Sequence, residues 1–131
     1  MGLTYVRIRV SKDARGKSAS VRALVDTGAT STMLPRRVLD SVGAKPSRTI
    51  RVRLADGRRV TREFGIAFVH YGKHNAWTQI RFGEPGDATV LGALTLEELW
   101  LQVDPRSGKL REVEEALMVP LLPIGVEASA D

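Results

Sequence analysis

The chain contains no cysteine. Disulfides, thiolate nucleophiles and zinc–sulfur sites are therefore excluded, and the composition suits a reducing compartment, so a cytoplasmic location is expected. Histidine is scarce, with two residues in the whole chain. His70 and His74 stand at a helix-like spacing, but Gly72 between them signals a turn, so they share no helical face and no metal site is expected. Aromatic residues make up only 5% of the sequence. The core must rest on Val, Leu, Ile and Ala, and Trp77 and Trp100 read as core or interface residues rather than stacking platforms. No apolar run approaches the ~20 residues of a membrane helix. Arg7 and Arg9 break the first ten residues, which argues against a signal peptide, so no membrane partner is expected. No repeat, linker or low-complexity tract interrupts the chain.

What is present fits one domain, residues 1–131, with 43% apolar residues to build a core. The folded part is expected over about 4–119, with an irregular tail at 120–131. The net charge is +5, most of it from arginines spread through the chain. A nucleic-acid surface would be one use for them. Their alternation with apolar residues instead favours solvated outer strand faces, and no nucleic-acid partner is expected.

Thr4 to Val10 alternates, with Val6, Ile8 and Val10 on one side and Tyr5, Arg7 and Arg9 on the other, which predicts a half-buried strand. A second strand spans Ala19 to Val25, and a short return strand Ser31 to Leu34. Pro35 and Gly43 suit the start and end of a helix of about two turns. Ile50 to Leu54 reads as a strand, and Asp56-Gly57 as a two-residue hairpin turn. Arg58 to Phe64 follows, lightly apolar near its tip, then a bend at Gly65. Ile66 to Tyr71 and Ala76 to Phe82 flank a turn at Gly72 to Asn75, with Ala76, Thr78, Ile80 and Phe82 facing one way. Thr89 to Gly92 is a short buried strand. Thr95 and Glu98 have the spacing of a capping box, with Leu94 and Leu99 as its hydrophobic staple, predicting a helix from Leu96 to about Leu101. Asp104 to Gly108 is a turn and Leu110 to Val113 a strand, and Glu112, Glu114 and Glu115 read as a solvated acidic stripe. Many short strands, Gly/Pro turns and two brief helices indicate an all-β, barrel-like domain.

The centre of the pattern is Ala23-Leu24-Val25-Asp26-Thr27-Gly28-Ala29-Thr30. An apolar strand drives one carboxylate to the edge of a buried sheet, and a glycine allows the backbone to turn and approach it closely. The stretch resembles the Asp-Thr-Gly active-site motif of aspartic proteases, and the chain length resembles their single-domain, retropepsin-like group. Val90-Leu91-Gly92 followed by a helix resembles the family's hydrophobic-hydrophobic-Gly signature, 66 residues beyond Asp26. The Asp56-Gly57 hairpin falls where the family carries its substrate-covering flap.

The resemblance implies a closed, barrel-like all-β fold with one or two short helices that acts as a homodimer. Asp26 would be catalytic, and Thr27 and Gly28 would support the active-site loop. Ala29, Thr30 and the tip Ala55-Asp56-Gly57-Arg58 would bind a peptide or protein substrate. Val90, Leu91 and Gly92 would pack beneath the loop, and no cofactor or metal would be needed. Two carboxylates about 3 Å apart share one proton and serve as base and acid. One such motif per chain then requires a second copy. The chain departs from the family in its charged flap tip and in Thr30, where viral members often carry Asp. It departs again in Pro120 and Pro123, which interrupt the usual C-terminal pairing strand and would shorten it to about Glu115 to Val119.

Three other readings share parts of this pattern. A catalytically silent peptide-binding module could use the same dimer. Asp26-x-Gly28-x-Thr30 also resembles the first phosphate loop of the actin and sugar-kinase fold, which needs a far longer chain. A basic nucleic-acid binder would betray itself by steep salt dependence.

Overall fold

The period-two alternation of the first segment produces β1 (Tyr5–Ser11), which pairs antiparallel with β2 (Ser18–Val25) from Tyr5 opposite Leu24 to Ser11 opposite Ser18. In this computed structural model, residues 3–115 and 121–125 are described. The remaining strands are β3 (Thr32–Pro35), β4 (Arg48–Arg53), β5 (Arg59–Tyr71), β6 (His74–Gly83), β7 (Val90–Leu91), β8 (Leu101–Val103) and β9 (Leu110–Glu112), with helices α1 (Arg36–Ser41) and α2 (Ala93–Glu98).

Seven strands form one sheet in the order β1-β2-β7-β3-β6-β5-β4, and β1 also pairs with β5. The path of pairings therefore runs from β1 through five neighbours and back to β1, with β4 appended outside. Strands β8 and β9 form a separate antiparallel pair. Ile8, Val10, Ala23, Leu34, Val69, Ile80, Phe82 and Leu91 fill the interior at 0–1% exposure. Burial of such side chains contributes about 1.5–3 kcal/mol each. Helix α1 closes one side by burying Val38 and Leu39. Pro35 precedes its first residue, and Gly43 follows its end with φ +80°, a conformation that costs glycine nothing.

The two segments expected around Gly65 are one continuous strand. Glycine is required there because a Cβ would lie 2.5 Å from the Lys45 carbonyl oxygen. The turn after β5 is tighter than expected, since Tyr71 already pairs with His74. The second helix also differs from expectation. It starts at Ala93 after Gly92, with no side-chain cap, and ends at Glu98, so Leu101 begins a strand. Thr95 is inside the helix and fully buried, and Leu94 is 42% exposed, so neither the capping box nor the staple forms. The expected pairing strand beyond Glu115, to Val119, lies outside the described residues, as do Pro120 and residues 126–131 of the tail.

Candidate active site

The apolar residues of β2 commit its C-terminal end to the sheet interior. Val25 and Leu24 pair in parallel with Leu91 and Val90 of β7, and β7 lies between β2 and β3, pairing with Met33 of β3 on its other side. Asp26 is the first residue beyond β2. Its amide is held by the Leu91 carbonyl at 3.0 Å, while its side chain is exposed.

The loop after Asp26 closes on itself. The Gly28 amide donates to Asp26 Oδ1 at 2.9 Å, and the Ala29 amide to the Asp26 carbonyl at 3.1 Å. A Cβ on Gly28 would approach Asp26 Oδ1 to 3.2 Å, and Gly28 does not have a positive φ. Glycine serves here by making room for the carboxylate rather than by permitting a left-handed turn. Thr27 and Thr30 are exposed, and Ala29 is half-buried.

The segment after β7 packs against this loop. The amides of Ala93 and Leu94 donate to the carbonyls of Ala29 and Thr30 at 2.8 and 3.1 Å. Gly92 is pressed against the Ser31 and Ala29 carbonyls so closely that no side chain fits. Its amide donates to Thr32 Oγ1 at 3.0 Å. From there a line of hydroxyls leads outward. Thr32 donates to Thr95 at 2.6 Å, Thr95 meets Thr78 at 2.8 Å, and Thr78 donates to Glu98 Oε1 at 2.6 Å. Because Thr78 spends its proton on Glu98, the Thr95 hydroxyl must donate to Thr78. All three threonines are buried, at 0–3% exposure, and each is satisfied by the next.

Thr32 and Thr78 have no part in the motif and are invisible in a search for catalytic residues. One signal existed for Thr78. It lies on the inward face of β6, where a buried hydroxyl demands a partner.

The hairpin tip Ala55 to Arg58 is exposed. Its contacts are its own: the Leu54 amide to the Arg58 carbonyl at 2.8 Å, and Arg58 to both Asp56 oxygens at 3.0 and 2.7 Å. The Arg58 amide, then its guanidinium, hold the Asp56 carboxyl below its usual range. Among the described residues no hydrogen bond or ion pair joins this tip to the Asp26 loop. Asp87, in the segment between β6 and β7, forms a shielded pair with Arg62 at 2.6 and 2.9 Å.

The two histidines have different partners. His70 meets Ser11 Oγ at 3.3 Å, and its imidazole is lowered from the ordinary value by burial and then by the Arg9 charge. His74 instead meets Glu112, which also pairs with Lys73, so Glu112 is engaged rather than merely solvated. Among the described residues no group of three potential ligands could hold a metal, and no helix is long and apolar enough to cross a membrane. Trp77 packs edge-on against Phe68 and remains 49% exposed, and Trp100 is 50% exposed with φ +59°.

Two concavities lie among the described residues. One of about 940 Å³ is lined by Trp100, Leu101, Val113 and neighbours, and one of about 190 Å³ by Ser31, Gln79, Leu94, Glu97 and Glu98. Asp26 lines neither, so these two grooves leave its carboxylate outside.

No curated protein matches the chain significantly. A family model described as aspartyl protease matches residues 8–83, a span that includes the Asp26 loop, both strands that carry it forward and the β4–β5 hairpin. That match covers more than half of the sequence, and the chain belongs to the aspartyl protease family of the retropepsin-like clan.

Proposed function

We propose that the protein is an aspartic endopeptidase assembled from two identical chains, with Asp26 of each facing the other across a two-fold axis. The observation that carries this reading is the exposed Asp26 carboxylate on a hydrogen-bonded loop, which lines neither of the two grooves. A second copy would supply both the missing carboxylate and the opposite wall of a cleft. One Asp26 would take the proton of the attacking water and the other would protonate the departing group, as aspartic proteases do generally. Gly28, Ala29 and Thr30 would meet the substrate backbone. Ala55 to Arg58 would close over an extended peptide and exclude water. The closed circuit of strand pairings supports reading the body as the family's barrel.

The test is digestion of a broad peptide library with and without a pepstatin-type inhibitor. Inhibitor-sensitive cleavage, abolished by Asp26→Asn in a folded dimer, is the expected result. Proteolysis retained by that variant overturns the assignment. Activity should favour mildly acid pH, because the pair must hold one proton between them.

A further inference from the structure

Strand β4 ends the order of the seven-stranded sheet, and among the described residues nothing pairs with its outer edge. The direction of its backbone groups follows from one bond. The Leu54 amide donates to the Arg58 carbonyl at 2.8 Å, so that residue faces β5. Alternation along an antiparallel ladder then turns Val52 and Ile50 inward as well, toward Val60 and Arg62. Thr49, Arg51 and Arg53 are left with N–H and C=O directed at the open edge.

Their side chains share one face with those opposite them, Glu63, Thr61 and Arg59. The other face carries Ile50, Val52 and Val60, all half-buried. On the first face Arg51, Arg53 and Arg59 are exposed, and none has an ion-pair partner among the described residues. Arg58, Arg62 and Arg111 each have one, and Arg36 has two. The one carboxylate on that face, Glu63, is taken by Arg36 at 2.6 Å. Arg53 stands directly opposite Arg59, a like-charge pairing that destabilises a sheet.

A second copy's β4 would bring arginine against arginine, so the charges guard this edge against self-association. A nucleic acid would find charge on this face but no aromatic residue among those that form it on which to stack. An extended polypeptide with carboxylates at alternate positions fits both features at once. Its backbone completes the open ladder, and its acidic side chains, about 6.8 Å apart on one face, fall beside Arg51 and Arg53. We propose that the β4 edge captures an acidic, extended segment of a partner protein by strand addition, with Arg51, Arg53 and Arg59 selecting its charge. The edge belongs to the hairpin whose tip the proposed function places over an extended peptide, so this inference deepens that reading; it is tested by binding without cleavage, so its failure is read apart from a failure of proteolysis.

The experiment is fluorescence anisotropy of the full chain with a labelled peptide of alternating Glu and Val, carried out also on Asp26→Asn to keep the probe intact. Comparison probes are the Lys/Val counterpart, the Glu/Val peptide N-methylated at alternate amides, and an oligothymidylate. The Glu/Val peptide is expected to bind and the Lys/Val and N-methylated peptides to fail. Arg51→Glu with Arg53→Glu should weaken Glu/Val binding by about tenfold or more and reverse the preference toward Lys/Val. A misfolded variant could not produce that reversal. Arg59→Gln, on the neighbouring strand, should weaken binding by about threefold. The proposal is overturned by absent Glu/Val binding, by equal binding of the N-methylated peptide, by tighter binding of the oligothymidylate, or by an unchanged preference in the charge-reversed variant.

Discussion

A Cβ placed on Gly92 would lie 2.5 Å from the Ser31 carbonyl oxygen and 2.6 Å from the Ser31 carbonyl carbon. Both obstacles are backbone, so no side chain can swing aside. Gly92→Ala is therefore expected to destabilise the protein by about 1–3 kcal/mol, the usual cost of overpacking. It should also displace the Asp26 loop, whose residue Ala29 is tied to Ala93 at 2.8 Å. Chemical denaturation checks the first effect, and amide hydrogen exchange at Gly28 and Ala29 the second.

The Thr95 hydroxyl is the middle of the buried line from Gly92 to Glu98. Thr95→Val keeps the shape but removes one acceptor and one donor. The Thr32 proton is then stranded in an apolar place, at about 1–3 kcal/mol. Thr95→Ser should recover most of the loss in thermal melts, because it restores the hydroxyl and forfeits only a methyl group.

Arg62 and Asp87 form the best-shielded ion pair among the described residues, with side-chain exposures of 15% and 9%. The Arg62 hydrogen bonds, followed by the Glu84 amide, hold the Asp87 carboxyl below its usual range. A depressed folded-state value means that the stabilisation is fully present above the unfolded carboxyl's titration. It disappears as pH falls through the lower folded value. Asp87→Asn should cost about 1.5–3 kcal/mol at neutral pH. The difference between the two proteins should narrow as pH drops below about 4, measured as paired melting temperatures.

Thr27 is exposed and makes no side-chain hydrogen bond among the described residues. Thr27→Ala should therefore change the stability of the isolated fold by less than about 0.5 kcal/mol. If the proposed dimer forms, the same change should weaken it measurably in sedimentation equilibrium, since this hydroxyl sits beside the residue that must meet its mate.

Local rules reached a long way into this fold. Although its loop holds three residues between Leu54 and Arg58 rather than the expected two, the turn at Asp56-Gly57, with φ +89° at Gly57, was legible as a turn because turn chemistry depends on adjacent residues alone. So was α1 between Pro35 and Gly43. The period-two alternation gave the inward faces of β1 and β6 correctly. The reading of Thr95 and Glu98 as a capping box failed for an instructive reason. The residue types satisfy a local pattern, but Gly92 takes the cap position and Thr95 is buried against two other strands. The Arg62–Asp87 pair was not legible, because its members are distant along the chain.

By itself the sequence determined where strands begin and turn, and that one carboxylate would emerge at the end of an apolar strand. Those features depend on neighbouring residues and on side-chain period. Only the tertiary structure decided that β7 would enter between β2 and β3, bringing Leu91 to Val25 and Gly92 beneath Ser31. Such pairing needs groups far apart in sequence to meet and bury one another, and no local preference specifies that encounter. The Asp26 loop is braced by that meeting, through Ala93 and Leu94, as well as by the motif's own hydrogen bonds.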